Sequence, residues 1–296
     1  MNLLSWITGI FLATNTIISP LADTQSVISP PVQPAVSFSA YFSYVPTPTS
    51  SPSPVPNDIK TKSSSTTPTP ISKHLKKTHY TIALIGDSMI DTLGKDLPHL
   101  QKHLSYLYPN IRFTLLNYGV GGTNIDYGIQ RLTSPYTYLG LPYPALISQT
   151  PDIIVVESFG YNPYTFSDGA IDTHWLALAT MVDTIRSRLP ATKVMIASTI
   201  APNPYVFGDG APNIAFNTIE KMTRTDTIKR YLENALRFAQ SQNLPYANAY
   251  HASLDSAGNG RLVYINNGDH IHYSDAGREL FSGKIADAIA RYRLLE

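Results

Sequence analysis

From about residue 76 onward the chain alternates between short apolar runs and long amphipathic ones. Thr81–Ile85, Arg112–Leu116, Asp152–Val156, Lys193–Ser198 and Pro245–Ala249 are short and most are nearly continuous in apolar residues, the pattern of strands buried on both faces of a parallel sheet. Between them, Met89–Leu107, Thr173–Leu189 and Asn217–Gln242 place apolar residues at helical spacing, and Ser274–Leu294 closes the chain with a last helix. The alternation predicts one doubly wound α/β domain over residues 76–296, with a central, mostly parallel sheet of about five strands flanked by helices. Such sheets gather their ligands at the carboxyl ends of the strands. No repeat of solenoid period is visible.

The first 75 residues follow a different pattern. Leu3 to Ile18 is apolar and uncharged and ends at Ser19-Pro20, a length that suits a signal-peptide core better than a membrane span. No Lys or Arg precedes it, and Pro20-Leu21-Ala22 is a poor small-x-small cleavage site. Residues 1–22 are read as a signal peptide or N-terminal membrane anchor. Residues 23–75 are read as a disordered linker, because Pro46 to Pro70 is dense in Pro, Ser and Thr and cannot bury enough apolar surface to fold. An apolar start, a stalk and a folded unit give the layout of an exported or tethered enzyme, so an extracytoplasmic location is expected.

Composition narrows the chemistry. The chain has 296 residues, 43% of them hydrophobic, enough for a substantial core. With 22 basic and 21 acidic residues the net charge is +1, which gives no electrostatic reason to expect a nucleic-acid partner. The absence of cysteine excludes disulfides, thiolate metal sites and a cysteine nucleophile.

Gly86-Asp87-Ser88 stands where the first predicted strand turns into a helix, a placement that exposes a serine hydroxyl and frees its amide. Its ordinary alternative is a turn with an Asp or Ser helix cap. Near the C-terminus, Asp269-His270-Ile271-His272 offers the base such a serine requires. After the second strand, Asn117-Tyr118-Gly119-Val120-Gly121-Gly122 offers amides that glycine lets approach a ligand, or only a turn. After the third, Glu157-Ser158-Phe159-Gly160-Tyr161-Asn162-Pro163 offers a side-chain amide. Both are donors suited to an oxyanion.

In these four blocks and their order the chain resembles the SGNH hydrolases, the GDSL-type esterases and acyl hydrolases, from about Tyr80 to the C-terminus. The resemblance implies a flavodoxin-like fold and a serine esterase working through an acyl-enzyme, without metal or organic cofactor. It implies Ser88 as nucleophile, His272 as general base and Asp269 as the partner of the other imidazole nitrogen. The oxyanion hole would be the Ser88 and Gly122 amides with the Asn162 side chain. Two departures stand out. The residue after Asp269 is often glycine in the family and is His270 here, and Asn162 is followed by Pro163 rather than Asp.

Other residues keep two readings. Asp87 reads as a turn or cap residue that holds the Ser88 loop, and Glu157 as a buried carboxylate paired with a nearby Lys or Arg. His270 is either an exposed loop residue or a group tuning His272. His99 and His103 lie four apart on a helix, a solvated face or a metal pair. The irregular inserts Asn124–Thr150 and Ala201–Asn213 would flank the serine as binding lips, and tyrosines such as Tyr127, Tyr136, Tyr138 and Tyr143 either stack on sugar rings or pack beneath the loop. The expected partner is a small-molecule or carbohydrate ester, O-acetyl groups of the cell envelope foremost. An O-acyltransferase sharing the acyl-enzyme and a non-catalytic glycan-binding module are the alternatives. The sequence leaves the oligomeric state open.

Overall fold

The computed structural model describes residues 75–164 and 169–296, so the signal or anchor segment and the linker lie outside the described residues. In chain order the elements are β1 (His79–Gly86), α1 (Ser88–Asp91), α2 (Pro98–Leu107), β2 (Arg112–Gly119), α3 (Ile125–Thr133), β3 (Tyr136–Tyr138) and β4 (Leu141–Tyr143). They continue with β5 (Ile153–Glu157), α4 (Ala170–Arg188), β6 (Lys193–Ser198), α5 (Thr218–Ser241), β7 (Tyr246–Asn248), α6 (Ala249–Ala252) and α7 (Asp275–Arg291). Five strands form one sheet in the order β2-β1-β5-β6-β7, every pairing parallel. The five predicted strands are these five. β3 and β4 form a separate antiparallel hairpin inside the first insert.

The strands divide the core by their period of two. Ile82 and Leu84 of β1, Ile153 and Val155 of β5 and Met195 of β6 face one side, where α2 and α7 supply Leu100, Leu104, Phe281, Ile285 and Ile289. Ala83 and Ile85, Ile154 and Val156, and Val194 and Ile196 face the other, against Leu178, Met181 and Ile185 of α4 and Phe238 of α5. Both faces being covered explains why these strands read as continuous apolar runs. The strand order reverses at β1, which has β2 on one side and β5 on the other. Their carboxyl ends therefore open a crevice, the place where doubly wound sheets bind ligands.

The predicted helix over Met89–Leu107 is broken. α1 ends after one turn, Gly94 and Leu97 take left-handed φ values of 89° and 48°, and α2 restarts with Pro98 in its first turn. Within the first insert, Ile125–Thr133 is helical rather than irregular, started by Asn124, whose side chain accepts from the Tyr127 amide.

His174 fastens α4 to the carboxyl end of β5. Its Nε2–H donates to the Ser158 carbonyl at 2.8 Å and its Nδ1 accepts from Asn234 Nδ2 at 2.9 Å. Burial pushes the imidazole down to about 4, the hydrogen bond to Ser158 only partly opposing it. The unfolded chain therefore takes up a proton that the folded chain refuses between roughly pH 6.5 and 4, and stability falls as pH falls through that window. The loss is about 3 kcal/mol. Unfolding free energies measured across that window will decline more steeply for the wild type than for His174→Gln, whereas parallel curves would rule out this titration.

Candidate active site

Ser88 is the first residue of α1, immediately after β1, and its helix is capped by Asp87, whose Oδ1 accepts from the Met89 amide at 2.8 Å. The turn needs Gly86. A Cβ there would lie 2.3 Å from Ile90 Cγ1 and 2.8 Å from Glu157 Cβ, so a side chain would force β1 away from β5 and tilt the serine. Beside it, Asn117 ties β2 to the same turn. Its amide nitrogen donates to the carbonyls of Ile90 and Gly94 at 3.0 and 2.9 Å, and its oxygen accepts from the Gly119 amide at 2.8 Å.

His272 sits in a turn built around one carboxylate. Asp269 Oδ1 accepts from the amides of Ile271 and His272 at 2.9 and 3.1 Å, while Oδ2 accepts from His272 Nδ1–H at 2.7 Å. Burial pushes the Asp269 carboxyl up, but the hydrogen bond and charge of His272 and the two amides outweigh it and hold the group below the usual carboxylate range. Nδ1 is thus committed, which leaves Nε2 for proton exchange. The turn requires φ = 51° at His270, a left-handed conformation that favours the glycine usual in the family. His270 does not turn toward the base; its Nδ1–H donates to the Asp209 carbonyl at 2.7 Å and ties the turn to the second insert.

The third block converges through Asp87. Asn162 Nδ2 donates to Asp87 Oδ2 at 3.0 Å, which orients the amide and leaves its second N–H uncommitted. Pro163 after Asn162 does not displace it: Ser88, Gly122, Asn162, Pro163 and His272 line one cleft. No hydrogen bond occupies the amides of Ser88 or Gly122 among the described residues. The four blocks predicted from sequence come together, and the cleft contains donors for an oxyanion beside a hydroxyl and an imidazole.

Asp87 and Glu157 are both fully buried. Glu157 has no cationic partner among the described residues; its carboxylate accepts from Phe159 N at 2.8 Å and meets the Ser158 hydroxyl and the Asp87 amide. Burial first, and then the charge of Asp87, push Glu157 well above the carboxylate range. Burial raises Asp87 too, but less far, because the Asn162 and Met89 hydrogen bonds and the charges of His272 and Arg131 oppose it. Of the pair, Glu157 therefore holds its proton the more tightly.

Two features escaped the sequence reading. Arg131, fully buried, donates from Nη1 to the Tyr118 carbonyl at 2.5 Å and from Nη2 to the Gly86 carbonyl at 3.0 Å, joining the ends of β2 and β1 beneath the serine. Nothing in a helix of mixed composition marks such an arginine. The apolar wall of the cleft is Tyr161, Phe207, Ile214, Phe216, Ile228 and Ile271, and only Phe207 falls within an insert singled out as a binding lip. The tyrosines of the first insert do not line the cleft. Tyr136 stacks on Tyr143 at 5.1 Å, with Tyr118 and Tyr127 edge-on, so these rings pack beneath their own loop. His99 and His103 are partly exposed and pair with Glu279 at 2.8 and 3.2 Å, and no cluster that could hold a metal is found among the described residues.

The parallel sheet with this cleft at its switch point defines an ester hydrolase of SGNH architecture. The family described as "GDSL-like Lipase/Acylhydrolase family" matches residues 84–280, and the chain belongs to it. Among solved structures it is similar to the lipase/acylhydrolase from Enterococcus faecalis, with a TM-score of 0.52 and 19% identity over 72% of this chain and 96% of that one. A GDSL-like lipase from Bacteroides thetaiotaomicron gives a TM-score of 0.52 and 14% identity over 72% and 89% of the two chains. These likenesses are of fold. A comparison with curated proteins finds no match.

Glutamine reproduces the protonated form of Glu157, and a carboxyl raised by folding contributes stability that is lost as pH rises above its unfolded value. Glu157→Gln is therefore expected to retain activity and to unfold a few degrees above the wild type at pH 8, with the difference vanishing near pH 4. A variant less stable than the wild type at pH 8 would show Glu157 to be ionised.

Proposed function

We propose that this protein is a serine esterase that removes a short acyl group, acetyl foremost, from carbohydrate or cell-envelope material outside the cytoplasm, through an acyl-enzyme on Ser88. The observation that carries the reading is the single cleft shared by Ser88, Gly122, Asn162 and His272, with Asp269 on the far nitrogen of the imidazole.

His272 Nε2 takes the proton of Ser88 as Oγ attacks the ester carbonyl, and Asp269 stabilises the imidazolium. The Ser88 and Gly122 amides and the second N–H of Asn162 receive the oxyanion. Each such donor is worth about 2.7–4 kcal/mol in the transition state. His272 returns the proton to the leaving alcohol; water, deprotonated by the same nitrogen, then releases the acid.

Cleft size supports a short acyl group. Its free volume is about 60 Å³, walled by Tyr161, Phe207, Phe216 and Ile271. That is well under the roughly 150 Å³ that holds benzene. The apolar start and Pro/Ser/Thr stretch of residues 1–75 support export or tethering.

The full chain will hydrolyse p-nitrophenyl acetate, with kcat/KM falling at least about tenfold at octanoate. Ser88→Ala and His272→Ala each lower kcat by about 10³-fold or more, and Asp269→Asn by a comparable factor. A preference for octanoate would refute the short-acyl assignment, and turnover that survives Ser88→Ala would refute the serine mechanism. Acetyl transfer to an added sugar in preference to water would make the protein an acyltransferase.

A further inference from the structure

Besides Arg131, the first insert sends a tyrosine hydroxyl to the active site. From the β3–β4 hairpin, Tyr138 Oη donates to Asp91 Oδ2 at 2.8 Å and accepts from the Gly121 amide at 3.1 Å. Asp91 is the last residue of α1, the helix that Ser88 begins. Gly121 lies just as close to the nucleophile, since a Cβ built on it would be 3.2 Å from Tyr138 Oη and 3.8 Å from Ser88 Cβ. One hydroxyl thus joins the nucleophile helix to the loop that carries Gly122, while Tyr138 itself is absent from the cleft lining.

The direction of these hydrogen bonds is fixed by chemistry. An amide only donates, so the tyrosine oxygen must accept from Gly121 and give its proton to the carboxylate. Burial pushes the phenol up to about 12, and the hydrogen bond to Asp91 acts the same way, so the proton stays on Tyr138. With the Gly121 N–H committed to Tyr138, the amide of the next residue, Gly122, is the one the loop presents to the cleft. Gly122 holds φ = 70°, a left-handed turn that glycine adopts without steric cost.

We propose that Tyr138 is a positioning residue for catalysis, whose hydroxyl locks the Gly121-Gly122 loop to α1 and so fixes the Gly122 amide as an oxyanion donor. This rests on the esterase reading above. Tyr138 touches no substrate in this role, and the hairpin that delivers it, stacked through Tyr136 and Tyr143, serves as its rigid mount.

The test compares the full-length wild type, Tyr138→Phe and Asp91→Ala on p-nitrophenyl acetate, with methylboronic acid as a tetrahedral adduct of the serine. Tyr138→Phe is expected to lower kcat about 10–100-fold, with KM within about threefold, and to weaken boronic acid inhibition by the same factor as kcat/KM. Asp91→Ala, which leaves the hydroxyl unanchored, should show the same split at smaller size. A Tyr138→Phe kcat within twofold of wild type would overturn the proposal, as would a loss confined to KM with boronic acid affinity unchanged. A wild type that turns over no ester and takes up no boronic acid would instead overturn the esterase reading, and this proposal with it.

Discussion

A carboxylate sealed from water at the end of β1 governs the site. Burying Asp87 costs several kcal/mol unless its oxygens are satisfied, and the partners that satisfy it belong to the blocks that converge on the cleft. One oxygen caps the helix that begins at Ser88; the other holds the Asn162 amide. The charges of His272 and Arg131 favour its anion, while burial and the charge of Asp87 push the neighbouring Glu157 well above the carboxylate range. Removing Asp87 would therefore release the helix that begins at Ser88 and the Asn162 side chain together.

The sheet makes this concentration possible. β1 lies between β2 and β5, so the loops that leave the carboxyl ends of all three must rise from adjacent points. Arg131 closes the gap beneath them by donating to the Gly86 carbonyl at the end of β1, which also accepts from the Val120 amide, and to the Tyr118 carbonyl near the end of β2. Above, the chain between α4's neighbouring strand and α5 folds its second insert against the histidine turn through His270 and the Asp209 carbonyl. The apolar wall of the cleft comes from Tyr161 in the loop after β5, from Phe207, Ile214 and Phe216 before α5, from Ile228 of α5 and from Ile271 in the histidine turn.

Much of this was legible in the sequence because two periodicities carry it. Continuous apolar runs located all five strands of the main sheet, and Gly86-Asp87-Ser88 and Asp269-x-x-His272 were readable as local turns. Asp87 as a cap that holds the serine loop was readable for the same reason. The break in Met89–Leu107 was signalled by Gly94 and Pro98, but the apolar spacing on either side masked it. α3 was hidden by its Gly128 and by the tyrosines around it. What remained illegible depends on contacts remote in sequence. Glu157 was expected to meet a cation and met Asp87. Arg131 reaches 45 residues back to Gly86, and Tyr138 reaches 47 back to Asp91.

The account stands or falls on whether Ser88 is a nucleophile activated by His272. The most direct measurement is mass spectrometry of the intact chain and its peptides after exposure to an organophosphorus fluoridate. It predicts one adduct per chain, on the peptide containing Ser88, formed at least about a hundredfold more slowly in His272→Ala. An adduct on another residue, or labelling of Ser88 at the same rate without His272, would contradict it.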